Sequence, residues 1–469
     1  MRAAIVILIV VLVAVPGLFV PYIGLLGYVW FTLMRPDWFS WSGSMFPYSA
    51  VLEAVTVAGS VRFLPRLLPL WQNPFFMGLG LLQIPLFLST LLAVHPELSW
   101  PFYIPFIRLM AVALLIPVLV ETEKKLYILM LVMALSVGMI GSKYGMGGLV
   151  RGGTPIYDGY GGLDNNGLAL ALVFVLPLFW FLRRKAPWFW LKALLLTMMF
   201  FSMAAVILTR SRGGILTMGI TLLLISFRSK NRILSLVLIF LLTVPPLWLF
   251  RYPLIDRMAT LGDPTEDPSI RSRLTHFKAA PKMWRDYPLL GVGFGNENYM
   301  ALELDYIPED EHPGVVLKIH NSYLQMLVDS GVFAFLLYMF LLVGMIIALQ
   351  LSARRCRKYY PDMILYPHAL QIPLIAYAQF SLTGGRERYE FYYLLLMTAV
   401  AWLLIEKKLP RVSSPPTQAT RLEAAFPGPI PRPSQPDPAR VPAFSRFQGR
   451  ASGPKPLPAP HSPASGRRG

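Results

Sequence analysis

Apolar runs long enough to form membrane-crossing helices recur along most of this chain, with short polar intervals between them. A helix rises about 1.5 Å per residue, so a hydrocarbon layer of about 30 Å takes roughly 20 residues. On that measure the pattern predicts spans near 46–62, 74–94, 101–120, 124–142, 164–182, 188–209, 212–228, 231–250, 321–350, 363–383 and 389–406. The segment 3–34 is also apolar but too long for one straight crossing, and Pro16-Gly17 and Pro21 interrupt it. It predicts one crossing plus a re-entrant or tilted piece. The runs lack the alternation of barrel strands, so helices must satisfy the backbone inside lipid. The expectation is an all-α integral membrane protein with about 12 transmembrane helices.

The polar intervals set the orientation. Lys and Arg gather at Arg62/Arg66, Lys124/Lys125, Arg183-Arg184-Lys185, Arg228/Lys230/Arg232, Arg354-Arg355-Cys356-Arg357-Lys358 and Lys407/Lys408/Arg411. Two predicted spans separate each cluster from the next, so all fall on one side, the cytoplasmic one. With 3–34 counted as a single crossing, both termini are cytoplasmic. The other side receives 35–44, 95–100, 143–163, the turn at 210–212, a long loop at about 251–320, and 383–388. That loop predicts a helix at 271–285, is too short for a core of its own, and is expected to cap the bundle.

Composition agrees: 55% of residues are hydrophobic and only 14% charged. The net charge of +18 could suggest nucleic acid, but much of the excess lies beside apolar runs and in the tail. The partner implied is anionic membrane lipid, with no nucleic acid. One cysteine, Cys356, makes neither an intrachain disulfide nor a CxxC site. No cleavable signal pattern is seen at the N-terminus. Residues 1–409 therefore read as a polytopic membrane domain. Residues 410–469, rich in Pro, Ser, Ala and Arg, read as a disordered basic cytoplasmic tail.

Three arginine sites stand on the side that the positive-inside rule leaves poor in them. Arg210 and Arg212 sit in Thr209-Arg210-Ser211-Arg212-Gly213-Gly214, between two apolar runs. Arginine at depth usually lines a polar cavity, the alternative being side chains that reach up to the headgroups. Arg271 and Arg273 precede Met283-Trp284 and the turn Tyr287-Pro288-Leu289-Leu290-Gly291-Val292-Gly293-Phe294-Gly295. Guanidinium groups beside a glycine-rich turn suit an anion, or else a basic loop rests on headgroups. The turn lacks the GK[ST] of a nucleotide-binding loop. Arg151 lies in the glycine-rich interval before Asp164-Asn165-Asn166-Gly167, where Asp164 suits a helix cap.

His320 opens the span that follows the long loop, where it could serve as a general base, a cap or an interface residue. The acids Asp263, Glu266, Asp267, Glu303, Asp305, Glu309, Asp310 and Glu311 could hold a divalent cation but read better as a solvated rim. No metal site and no cofactor are expected.

These segments together resemble the O-antigen ligase and polymerase superfamily of bacterial envelope glycan enzymes. The resemblance rests on Ser211-Arg212-Gly213, on Arg273 ahead of Trp284 and the glycine turn, and on His320-Asn321-Ser322-Tyr323-Leu324 running to Asp329-Ser330-Gly331. It covers roughly 160–400. Tyr28-Val29-Trp30 and Met34-Arg35-Pro36-Asp37 look like the putative O-glycosylation ligases associated with exosortase systems.

The family implies an inner-membrane enzyme that moves a glycan from undecaprenyl diphosphate to an acceptor hydroxyl in the periplasm. That acceptor is the core sugar of lipid A, or another repeat unit in the polymerases. In that chemistry Arg151, Arg210, Arg212, Arg271 and Arg273 bind the diphosphate and His320 takes the hydroxyl proton, giving metal-independent inversion. A rival is a transporter of lipid-linked glycans. It would need polar groups deep in several spans, whereas the ionisable residues here gather at one face.

Overall fold

In a computed structural model, the structure describes residues 2–39, 47–157, 159–249, 268–309, 312 and 316–410, with side chains except at 2–3, 39, 246–247, 249 and 268–274. The predicted tail and the acids Asp263, Glu266, Asp267, Asp310 and Glu311 lie outside these residues.

Helices form wherever the apolar runs led one to expect them. They are α1 (Arg2–Phe19), α2 (Pro21–Met34), α3 (Tyr48–Ser60), α4 (Pro74–Leu91), α5 (Pro96–Leu119), α6 (Glu123–Val150), α7 (Asn165–Leu182) and α8 (Phe189–Leu208). Then come α9 (Arg212–Arg228), α10 (Arg232–Leu249), α11 (Pro268–Asp286), α12 (Asn296–Leu302), α13 (Ser322–Tyr359), α14 (Leu365–Phe380) and α15 (Glu390–Lys408). Caps mark several polar-to-apolar transitions. Asn73, Thr122, Asp164, Ser211 and Asn321 each accept backbone N–H groups at the first turns of α4, α6, α7, α9 and α13.

Among the described residues, six helices are both long and apolar enough to cross a bilayer: α4 to α8 and α13. Others are shorter or carry charges. The segment 3–34 forms two helices, α1 and α2, that part at Val20-Pro21, while Pro16 lies inside α1. A 3-10 helix at Val61–Gln72 carries Arg62 and Arg66.

Helix α6 runs on to Val150, past its expected end at 142. Its glycines are the reason. Gly138, Gly141, Gly145 and Gly148 recur every three or four residues, and a Cβ on Gly145 would meet the Phe201 carbonyl oxygen at 2.2 Å. The stripe lets α6 lie against α8 at backbone distance.

Helices α7 and α15 occupy the middle of the bundle. Every residue of α7 from Gly167 to Leu182 is buried. Helices α1 and α10 instead turn Ile5, Leu8 and Leu12, and Ile233, Phe240 and Leu241, outward. Exposed apolar stripes of that kind suit lipid.

The long helix α13 is broken at Gly331, whose φ is 74°. The break leaves carbonyls without helical partners, and the glycine-rich turn supplies them. Val292 N–H donates to Val328 O at 2.9 Å, Gly293 N–H to Asp329 O at 3.0 Å, and Val332 N–H to Pro288 O at 3.0 Å. Ser89 Oγ adds a donor to Asp329 O at 2.7 Å. The turn's N–H groups at 292 and 293 therefore bind a helix and are not offered to an anion, as the sequence had suggested. The loop's apolar residues pack on the bundle: Ala280, Met283, Val292, Tyr299 and Ile319 lie against Val328 of α13, with Val94 and Leu324 beside them.

A Cβ on Gly331 would lie 2.1 Å from Leu289 O, and one on Gly291 2.4 Å from Val328 O, both at positive φ. Gly331→Ala and Gly291→Ala should each destabilise the protein by more than about 2 kcal/mol. Gly219, whose Cβ would meet nothing within 4 Å, is the control. Thermal unfolding in detergent should show a clear loss for the first two and little change for Gly219→Ala. Near-native unfolding of Gly331→Ala would mean that the break tolerates a side chain.

Candidate functional site

The polar end of the bundle is organised by the start of α7. Asp164 caps that helix through Gly167 N–H at 2.8 Å, as its sequence context indicates. It does more than cap. Its carboxylate also pairs with Arg386, and with Lys318 Nζ at 3.4 Å. Burial alone would raise the Asp164 carboxyl, but Arg386, Lys318 and the Gly167 N–H outweigh it and hold it below the usual carboxylate range. Lys318 is held below its usual value by burial and by neighbouring Arg386, against the pull of Asp164.

The next two residues reach the other way. Asn165 Nδ2 donates to Thr209 O at 3.0 Å, and Ser211 Oγ donates to Asn166 Oδ1 at 2.6 Å. Ser211 is the cap of α9, so Arg212 is its first residue and Arg210 lies just outside. Arg210 holds φ 53°, rare for a residue with a Cβ, and donates to the Tyr157 hydroxyl at 2.9 Å. Two cations at a helix N-terminus oppose the helix dipole, which favours an anion between them.

The other predicted arginines are placed less closely. Arg151 follows the last residue of α6 with an exposed side chain. Its loop returns to the Arg210 turn through Ile156 N–H and Leu208 O, 2.9 Å apart. Arg271 and Arg273 lie on α11, and their side chains fall outside the described residues.

His320 precedes Asn321, and Asn321 rather than His320 caps α13, accepting from Tyr323 and Leu324 N–H at 3.0 Å. The capping role weighed for His320 is therefore taken. Its ring packs against that of His276, centroids 6.3 Å apart. His276 is buried and lies 2.7 Å from Glu303 Oε1, which also accepts from the Tyr299 hydroxyl at 2.8 Å. Glu303 is thus fully buried, not part of a solvated rim; Asp305 and Glu309 are exposed.

The segment after α14 completes the site. Tyr377 and Tyr392 stack with centroids 4.4 Å apart beneath it. The Tyr377 hydroxyl donates to Arg386 O and the Tyr393 hydroxyl to Glu387 O, each at 2.7 Å. Arg386 N–H is held by Ser322 Oγ at 2.8 Å. A cavity of about 590 Å³ opens beside this segment, lined by α2, α3, α5, Lys318 and residues 385–390. Inside it Arg108 makes a bidentate pair with Glu53, both bonds 2.9 Å.

His276, Lys318, Arg386, Arg388 and the Arg108–Glu53 pair were not singled out by the sequence reading. Two signals could have found some of them. Arg386 and Arg388 lie in an outer interval, like the arginines that were noticed, and Arg108 and Glu53 are charges inside apolar runs. His276 and Glu303, 27 residues apart, give no such signal.

Residues 197–339 match the family model described as O-antigen ligase. Residues 1–187 match a family described as of unknown function (DUF5935), which leaves the exosortase-associated likeness of that region without further support. No curated protein matches the chain. The region 197–339 thus belongs to the O-antigen ligase superfamily, as its motifs indicated, and it holds Arg210, Arg212, Arg271, Arg273, His276 and His320.

Because the Asp164 carboxyl is depressed in the folded protein, its ion pairs contribute stability that is present above the ordinary carboxylate pKa of about 3.9 and lost as pH falls below it. Asn caps a helix as well as Asp does, so Asp164→Asn keeps the start of α7 and removes only the charge. The variant should be less stable than wild type at pH 6, with the difference shrinking from about pH 4 downward. Melting curves of both proteins across that range check it; a constant difference would remove the ion pairs from the explanation.

Proposed function

We propose, from the membership of residues 197–339 in the O-antigen ligase superfamily, that this protein is a glycosyltransferase of the bacterial inner membrane. It moves a glycan from undecaprenyl diphosphate to an acceptor hydroxyl at the periplasmic face, with the core sugar of lipid A as the acceptor. The observation that carries the reading is the joining of the Arg210–Arg212 turn to the Lys318–His320 segment through Asp164, Asn165 and Asn166. A cationic turn and an imidazole are thereby tied into one polar cluster at one end of an apolar bundle.

In this mechanism the acceptor oxygen attacks the anomeric carbon while the bond to the diphosphate breaks. Negative charge grows on the departing phosphate oxygens, where Arg210, Arg212 and Arg273 stabilise it without a metal. Arg151 and Arg271 add positive charge at the approach. His320 takes the hydroxyl proton, and a single displacement inverts the sugar. The buried His276 ring backs that of His320 and limits its freedom.

The orientation follows the basic clusters, with about 12 crossings, cytoplasmic termini and a periplasmic loop at 251–320. Contacts among the clusters support it. Lys185 pairs with Glu123, Arg66 with Glu121 at 2.7 Å, and Arg66, Glu121 and Lys408 line one cleft. In a Cys356→Ser background, cysteines at the exposed positions Asp305 and Lys358 should label from opposite sides of the membrane. Labelling of both from one side would sink this topology.

His320→Ala should still bind donor diphosphate, because the arginines carry phosphate recognition. Glycan transfer should fall by roughly 10²–10⁴-fold, the usual loss for a general base. Arg212→Lys and Arg273→Lys keep charge but lose the planar fork, so both donor binding and transfer should weaken. Paired binding and transfer assays on reconstituted protein decide. Near-normal transfer by His320→Ala would remove it from the chemistry.

A further inference from the structure

The cavity beside residues 385–390 has a charge pattern that bears on its ligand. Its charges are balanced. Arg35 faces Asp37 at 3.5 Å, Arg108 faces Glu53 at 2.9 Å, Arg388 faces Glu387 at 3.2 Å, Lys318 and Arg386 share Asp164, and Glu390 on the same lining brings the acids to five for five cations. A diphosphate needs surplus positive charge, and these cations are already neutralised. What the cavity offers instead is acceptors. Glu387 is only 3% exposed, lines the cavity, and its Oε2 has no hydrogen-bond partner among the described residues. Asn296 Oδ1, on the same lining, is enclosed and lacks a donor too. Enclosed acceptors call for donors, which an ionised phosphate does not have.

The rest of the wall is flat and apolar. Pro101, Phe102, Pro105 and Phe106 project from α5, and the Arg388 guanidinium stacks 4.3 Å from the Phe102 ring. Paired arginines and carboxylates next to aromatic faces suit a ligand that carries hydroxyl groups on an apolar ring. Such groups both donate and accept, and they leave ion pairs intact.

We propose that this cavity is the binding site for the acceptor's sugar chain. Its walls come largely from the N-terminal region of unassigned function, with Glu53 and Arg108 as specificity residues. The assignment to the acceptor rests on the reading of His320 as general base. Lys318, two residues before it, forms the cavity edge, whereas the Arg210–Arg212 turn lies across the Asp164–Asn166 segment. The attacking hydroxyl thus arrives from the cavity side and the diphosphate leaves from the other.

Two variants separate chemistry from folding. Arg108→Gln combined with Glu53→Gln removes the pair without stranding a charge, and Ala50→Phe narrows the cavity without removing a charged group. Full-length protein in nanodiscs is titrated with a lipid-free neutral oligosaccharide released from lipid A-core, and separately with glycan-free undecaprenyl diphosphate. Both variants should weaken oligosaccharide binding at least about tenfold and leave the lipid diphosphate unaffected. In transfer assays the acceptor KM should rise by a similar factor while kcat stays within about threefold.

Unchanged oligosaccharide binding in both variants would overturn the proposal, even if wild type transfers glycan. So would a loss confined to the lipid diphosphate, which would make the cavity the phosphate site. If wild type binds the oligosaccharide through Arg108 and Glu53 but transfers nothing, the site stands and the enzymatic reading fails.

Discussion

The carboxylate of Asp164 is the interaction on which the polar end of this bundle depends. It is the cap of α7, the most enclosed helix, and the counter-charge of both Arg386 and Lys318. Near lipid an unpaired charge is costly, so cations collect where a carboxylate is already fixed. The cap fixes it. Helix α7 therefore positions residues from two distant stretches of chain, and the adjoining Asn165 and Asn166 hold a third, the Arg210 turn. Four segments separated by up to 222 residues meet because one helix has to begin there.

Charge is used in two ways around this point. At residues 210–212 two arginines stand at a helix N-terminus, whose dipole also favours an anion. Around the cavity each cation has an acidic neighbour, which orients donors and acceptors without attracting an ion. The proposed reaction needs both arrangements, because its donor would end in a diphosphate and its acceptor would offer a hydroxyl. The fold separates them by the width of one capped turn.

The apolar pattern made the helices legible because it repeats over whole elements. Every expected span has its helix, and Asp164, Ser211-Arg212 and His320 stood out as polar groups at the ends of apolar runs. The misses share a cause. Glu303 read as one acid of a solvated series because its burial depends on His276, which meets it only through the packing of α11 on the 3-10 helix Glu303–Tyr306. The glycines of 291–295 read as an anion cradle because the same φ values serve an anion or a carbonyl. Only the break at Gly331, far along the chain, shows which one is present. The interval from 143 read as outer loop, whereas Gly145 and Gly148 continue the face of Gly138 and Gly141 and belong to the contact surface of α6.

The break in α13 also makes a joint between outer loop and bundle. A continuous helix transmits bending along its length, but the chain at Gly331 has left the helical conformation. The stub from Ser322 to Ser330 is stitched by main-chain bonds to the turn at 288–293 and through Ser322 to the loop after α14. The same stub is held by the membrane helices, where Ser89 of α4 donates to Asp329 O and the Tyr323 hydroxyl to Ala378 O of α14. It works as a clamp between outer loop and bundle. With Lys318 paired to Asp164 and Ser211 bonded to Asn166, the clamp leaves residue 320 and the 210–212 turn in a fixed mutual register.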